Sequence, residues 1–181
     1  TNLKTLDLYD VKDLTAAQFN AIPSEAKVSI ETLDLENVDV TGFDFSEFTG
    51  LKSLNLFNAQ ALTAAQFNAI PQKAKASIEI LDLNDVDVTG FDFSGFTNLK
   101  TLHLDYARGL TADQLNTISP ESKASIEDLG LQNVNITDLD FSGFTNLKDL
   151  YFTSDEYLTA EQFNAIPAET KTSIEGLYLS G

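Results

Sequence analysis

The segment Thr-Asn-Leu-Lys stands at residue 1 and returns at residues 97 and 145, with Thr-Gly-Leu-Lys at residue 49. The chain is therefore built from one 48-residue block, repeated as 1–48, 49–96, 97–144 and a partial 145–181. A fixed period of this length predicts a single elongated domain, because each unit buries its apolar face only by stacking on its neighbours. The repetition also lets the chain act as its own alignment. Positions that stay constant between blocks build the scaffold, and positions that vary are free for other work.

Each block contains the pattern L-x-x-L-x-L twice. One set is Leu3-Leu6-Leu8, Leu51-Leu54-Leu56, Leu99-Leu102-Leu104 and Leu147-Leu150-Phe152. The other is Ile30-Leu33-Leu35, Ile78-Leu81-Leu83, Ile126-Leu129-Leu131 and Ile174-Leu177-Leu179. Their starts are separated alternately by 27 and 21 residues. This pattern resembles the leucine-rich-repeat family. The resemblance implies an α/β fold: a right-handed solenoid of eight coils, with a parallel β-sheet on the concave face and short helices or 3₁₀ arcs on the convex one. It also implies interaction rather than catalysis. Many bacterial members are surface proteins or secreted effectors, and a Cys-free chain looks more like these than like disulfide-capped vertebrate members. The family usually has Asn or Cys three residues after the last Leu. Here Val11, Val38, Ala59, Val86, Ala107, Val134 and Asp155 stand there, so the turn must be satisfied otherwise.

The longer coils have room for a helix. Thr15–Gln18, Thr63–Gln66, Thr111–Gln114 and Thr159–Gln162 each fit a capping box, with Phe19 and Ile22 and their equivalents facing inward. Pro23, Pro71 and Pro167 end the first helical stretch, and Ser119-Pro120 suits a fresh N-cap and first turn. The shorter coils carry Phe43, Phe45 and Phe48, repeated as Phe91, Phe93 and Phe96, which read as core beneath an irregular or 3₁₀ arc.

Stacked strands align equivalent residues into columns. One column alternates strictly in sign: Lys4, Glu31, Lys52, Glu79, Lys100, Glu127, Lys148, Glu175. It reads as a register device, since a one-coil slip would place like charges together. Three outward columns vary instead. The first is Asp7, Asp34, Asn55, Asp82, His103, Gly130, Tyr151, Tyr178. The second is Tyr9, Glu36, Phe57, Asn84, Asp105, Gln132, Thr153, Ser180, and the third is Asp10, Asn37, Asn58, Asp85, Tyr106, Asn133, Ser154. Four of the five tyrosines fall in these columns, with Tyr157 just beyond. Tyrosine offers broad amphipathic contact at low entropic cost. The expected binding surface therefore has Tyr9, Phe57, Tyr106, Tyr151 and Tyr178 as anchors, with His103 beside them. Asp7, Asp34, Glu36, Asp82 and Asp105 form its acidic steering group, and acidity gives way to aromatics along the array.

The formal charge of −17 disfavours nucleic acid and bare anionic membranes, and no apolar run is long enough to span a bilayer. The expected partner is a protein or peptide with a basic patch, with carbohydrate a lesser alternative. The lone His103 has no motif-matched nucleophile and reads as surface decoration rather than a catalyst, and no cofactor is expected. Asp85–Thr89 imitates a phosphatase motif, and with Gly90 the start of a Ca²⁺ loop, but Phe96 replaces the required Glu. Asp7, Asp34, Asp10, Glu36 and Asn37 form an acidic patch in which a solvated surface outweighs a cation site. Asn135-Ile-Thr137 is a formal glycosylation sequon. The other reading is a segment of a longer array, or an engineered scaffold, whose coil ends associate end to end. The absence of Met, even at residue 1, fits a processed or excised chain.

Overall fold

In the computed structural model, which describes residues 2–135, 137–153 and 159–180, the eight Leu motifs form one parallel sheet in chain order. Its strands are β1 (Thr5–Asp7), β2 (Thr32–Asp34), β3 (Ser53–Asn55), β4 (Ile80–Asp82), β5 (Thr101–His103), β6 (Asp128–Gly130), β7 (Asp149–Thr153) and β8 (Gly176–Ser180). Register runs through the middle Leu of every motif, from Leu6↔Leu33 to Leu150↔Leu177. Leu33, Leu54, Leu81, Leu102, Leu129 and Leu150 are wholly buried. The residues on either side of them therefore share the opposite, open face of the sheet.

Each longer coil carries two short helices on its outer side. These are α1 (Ala16–Asn20) and α2 (Ser24–Ser29), α3 (Ala64–Asn68) and α4 (Gln72–Lys75), α5 (Ala112–Asn116) and α6 (Pro120–Ser125), and α7 (Ala160–Ala165) and α8 (Ala168–Ser173). All four expected capping boxes form: the Thr hydroxyl accepts the Gln amide, and the Gln side chain accepts the Thr amide. Pro23, Pro71 and Pro167 close one helix and stand at the N-cap of the next, while Ser119 caps α6 ahead of Pro120. The Phe columns are core, as expected. Phe19 stacks on Phe43 at 4.2 Å, and Phe67 repeats this with Phe91 at 4.2 Å.

The shorter arcs take the irregular of the two expected forms. Among the described residues none is 3₁₀ helix, and these arcs are successive turns. Gly42 and Gly90, at φ +74° and +76°, interrupt any helical run. Side chains then take the amides that a helix would have used. Asp44 and Asp92 accept from Ser46 and Ser94. Asn20 donates to Gly42 O and accepts from Asp44 N, so α1 fixes the arc of the following coil. Asn68 repeats both contacts.

The alternating column forms ion pairs. Glu31 bridges Lys4 at 2.5 Å and Lys52 at 2.7 Å, Glu79 meets Lys100 at 2.6 Å, and Glu127 meets Lys148. Hydrogen bonds from Lys4 and Lys52 hold the Glu31 carboxyl down at about 2. A second set of lysines lies beneath the outer arcs. Lys27, Lys75 and Lys123 are nearly fully buried over Phe rings. Lys27 pairs with Glu47 at 3.1 Å, but Gly95 and Gly143 stand at the corresponding positions beside Lys75 and Lys123. Burial lowers the ammonium pKa of both.

Candidate functional site

The open face is built at the ends of the strands, where each coil turns away from the sheet. The turn is closed by main-chain bonds: Val11, Val38, Ala59, Val86 and Ala107 N–H groups donate to the carbonyls of Leu8, Leu35, Leu56, Leu83 and Leu104. These bonds stand where the resemblance led an Asn side chain to be expected.

The first outward column begins as scaffold. Asp7, Asp34, Asn55 and Asp82 each accept the amide two residues on, from Tyr9, Glu36, Phe57 and Asn84. Three of the five acidic residues expected to steer a partner are thus turn caps. From β5 onward the arrangement changes. His103 and Gly130 supply no such acceptor, and the preceding coil does so instead: Asn84 Oδ1 takes the Asp105 amide at 2.6 Å, and Asp105 Oδ1 takes the Gln132 amide at 2.7 Å. The loss of the cap at His103 frees the first column for other side chains. Glu36 joins a network around Asn55, whose Nδ2 donates to both Asp34 and Glu36 at 3.2 Å.

The third column is set by the backbone. Asp10, Asn37, Asn58, Asp85, Tyr106 and Asn133 all have φ between +50° and +59°. Asn and Asp recur there because they tolerate the left-handed region, so the variation follows backbone geometry rather than a ligand. Tyr106 is the exception. It adopts φ +59°, strained for an aromatic residue, and is 45% exposed.

His103 is not surface decoration. Its ring is 27% exposed, with Nδ1 3.6 Å from Asp82 Oδ2 and Nε2 3.2 Å from Asp128 Oδ1. The latter contact is an ion pair, and the buried Asp128 Oδ1 accepts no hydrogen bond among the described residues. The Asp82 carboxylate beside Nδ1, opposed by burial and helped by Asp128, raises the imidazole pKa to about 9. Burial raises the neighbouring Asp105 carboxyl.

Beyond His103 the face becomes aromatic. The ring of Tyr151 meets His103 edge-on at 6.3 Å across the space left by Gly130, and stacks on Tyr178 at 4.4 Å and 6°. A Cβ on Gly130 would lie 2.9 Å from both Asp105 carboxylate oxygens. Burial, then the charges of Asp128 and Asp149, raise the Tyr151 phenol pKa. His103, Tyr151, Tyr178, Asp82 and Asp105 therefore line the half of the face from β4 to β8, each in contact with its neighbours rather than in one cluster. Tyr9, 56% exposed, stands apart at β1, and half-buried Phe57 sits mid-sheet. Tyr157 and Ser154 lie outside the described residues, as does Ile136 of the sequon.

The open face has one further column, outside the three that vary in the sequence analysis: Thr5, Thr32, Ser53, Ile80, Thr101, Asp128, Asp149, Gly176. It precedes the middle Leu, as the Asp7 column follows it, and a period of two puts both on one face. Ile80 there is 46% exposed. Asp128 and Asp149 carry acidity into the aromatic end, so the expected acidic-to-aromatic gradient holds for the Asp7 column alone. Among the described residues no three His, Asp or Glu side chains converge as metal ligands, and no helix is long and apolar enough to cross a membrane. The phosphatase-like and Ca²⁺-like stretch is a local turn in which Asp87 accepts from the amide and hydroxyl of Thr89.

No protein-family model matches the chain, and no curated protein matches it in sequence. Its likeness is to solved structures. A leucine-rich-repeat protein of Leptospira interrogans superposes with a TM-score of 0.59 at 16% identity, over 99% of this chain and 49% of that one. The leucine-rich-repeat domain of APL1B gives 0.54 at 15% identity, over 99% of this chain and 65% of that one. The chain thus spans about half and under two thirds of these two structures' lengths.

Proposed function

With the leucine-rich-repeat fold as premise, we propose that the chain is a non-enzymatic recognition module whose open sheet face binds a protein or peptide carrying a basic segment. One observation carries this reading: on a scaffold that repeats nearly residue for residue, large apolar side chains are left exposed on the face that does not repeat. Tyr9, Ile80, Tyr106 and Tyr178 are each 45–56% exposed there. Aromatic side chains of this kind anchor interfaces. The chemistry of the face suits binding better than turnover, because its one histidine is held between two carboxylates.

The test is an array of random peptides probed with the chain and with a Tyr106→Ala, Tyr151→Ala double variant of unchanged circular dichroism. Ligands lost in the variant are expected. Ligands bound equally by both would refute the reading.

A second reading, a segment of a longer array, has its own support. Leu3 and Leu177 are each 41% exposed, while Leu51, Leu99, Leu33 and Leu81 at equivalent positions are fully buried. A further coil, from the same chain or another copy, would cover them. Concentration-dependent mass in light scattering would favour association of copies, and a constant ~20 kDa would count against it.

A further inference from the structure

Where the scaffold stacks charges in its ladder, it alternates their sign. On the open face that rule breaks in two places, since Asp7 is the register partner of Asp34 and Asp128 that of Asp149. Like charges directly opposite one another are destabilising. In the first pair each carboxylate is occupied by a turn amide. In the second neither carboxylate takes one. Asp128 meets His103, and the Asp149 carboxylate makes no hydrogen bond or ion pair among the described residues.

The surroundings of Asp149 are aromatic. Tyr151 lies two residues along the same strand and face, stacked on Tyr178. Gly176 brings the charge and the ring together. A Cβ at Gly176 would lie 2.2 Å from Asp149 Oδ1 and 2.4 Å from the Tyr178 ring, so both fold over the space that glycine leaves. One carboxylate without a partner, Asp149, and one shared only with His103, Asp128, beside stacked phenols suit a flat cation. Its N–H groups would pair with the carboxylates and its plane would lie against a ring.

The distribution of the chain's own cations points the same way. Lys4, Lys52, Lys100 and Lys148 are committed to the ladder, and Lys27, Lys75, Lys123 and Lys171 lie over Phe rings. Lys12, Lys73 and Arg108 are outside the outward columns. The open face is thus left to carboxylates, with His103 its one basic side chain among the described residues.

We infer that the corner formed by Asp128, Asp149, Tyr151 and Tyr178 is a subsite for an arginine side chain of the bound peptide. Its guanidinium is held by the two carboxylates and lies against the tyrosine pair. This rests on the proposal that the open face binds peptides. Arginine fits better than lysine because only the guanidinium is both planar and able to donate to two carboxylates at once.

Titration of the ¹⁵N-labelled chain with acetyl-Gly-Arg-Gly-amide at low salt tests it, with the citrulline and lysine tripeptides as comparisons. Saturable shifts centred on residues 128–130, 149–151 and 176–178 are expected with arginine. They should weaken at least fivefold with lysine, weaken at least fivefold for arginine in Asp149→Asn, and be absent with citrulline. Asp113→Asn, an equal charge loss on the outer side, should match the parent. An equal response to citrulline, an unchanged response in Asp149→Asn, or shifts spread over every acidic surface would overturn the subsite. If array ligands bind without needing arginine, the subsite falls and the recognition reading stands. If the tripeptide localises but no array peptide binds, the reverse holds.

Discussion

His103 makes stability depend on pH in a direction set by its neighbours. Asp82 and Asp128 raise its folded-state pKa from 6.5 to about 9. A group whose pKa is raised on folding contributes fully below its unfolded value, and the contribution is lost as pH rises through the folded one. The stabilisation is therefore complete below pH 6.5 and disappears across the window from 6.5 to about 9. At ~1.4 kcal/mol per pH unit, that interval corresponds to ~3.5 kcal/mol as a ceiling. The ring keeps 27% exposure, so solvent screening reduces the figure to about 1–2 kcal/mol. The perturbation is His103→Gln, which keeps a polar side chain of similar reach but cannot carry the charge. Urea unfolding followed by tyrosine fluorescence at pH 6, 7.5 and 9.5 gives the difference between parent and variant. The difference should be largest at pH 6 and nearly gone at 9.5. A difference that stays constant across that range, or an imidazole titrating near 6.5 by NMR, would refute the reasoning.

Ser122 is fully buried with an unpartnered hydroxyl where Ala26 and Ala74 stand in earlier blocks, so Ser122→Ala should raise stability by ~1 kcal/mol in thermal melts. Gln66 closes a capping box and also donates to Val40 O at 2.7 Å and Phe43 O at 3.1 Å. Gln66→Ala should accordingly cost about 2–3 kcal/mol in urea unfolding, against ~1 kcal/mol for Thr63→Ala, which loses the cap alone. Glu79→Lys would set three lysines in a row in the ladder. Its melting temperature should fall at low salt and recover in 0.5 M NaCl as screening removes the repulsion.

Much of the fold is legible because its determinants are local and repeated. L-x-x-L-x-L states which residues point inward, Thr-x-x-Gln states where helices begin, and the Lys/Glu column states the register. Less visible are Asn20 and Asn68, constant residues at the ends of helices that bond to the arc of the next coil. Their role is hidden because the groups they reach are 22 and 24 residues away. The candidate site is less legible for two reasons. The run of Asn and Asp at Asp10, Asn37, Asn58, Asp85 and Asn133 is itself the signature of a left-handed turn, yet it looks like free variation until the backbone is seen. The surroundings of His103 depend on Asp82 and Asp128, which belong to the strands on either side and become neighbours only once the coils stack. The Asp128 and Asp149 column, by contrast, was available from strand alternation alone.

Recognition through the open face requires that a bound ligand sit there. Amide hydrogen exchange of the chain, with and without an array-selected basic peptide, reads that location. Protection confined to the strands and turns that carry His103, Tyr106, Asp128, Asp149, Tyr151 and Tyr178 is the expected result. Protection centred on helices α1–α8 of the outer side, with the sheet unchanged, would contradict it.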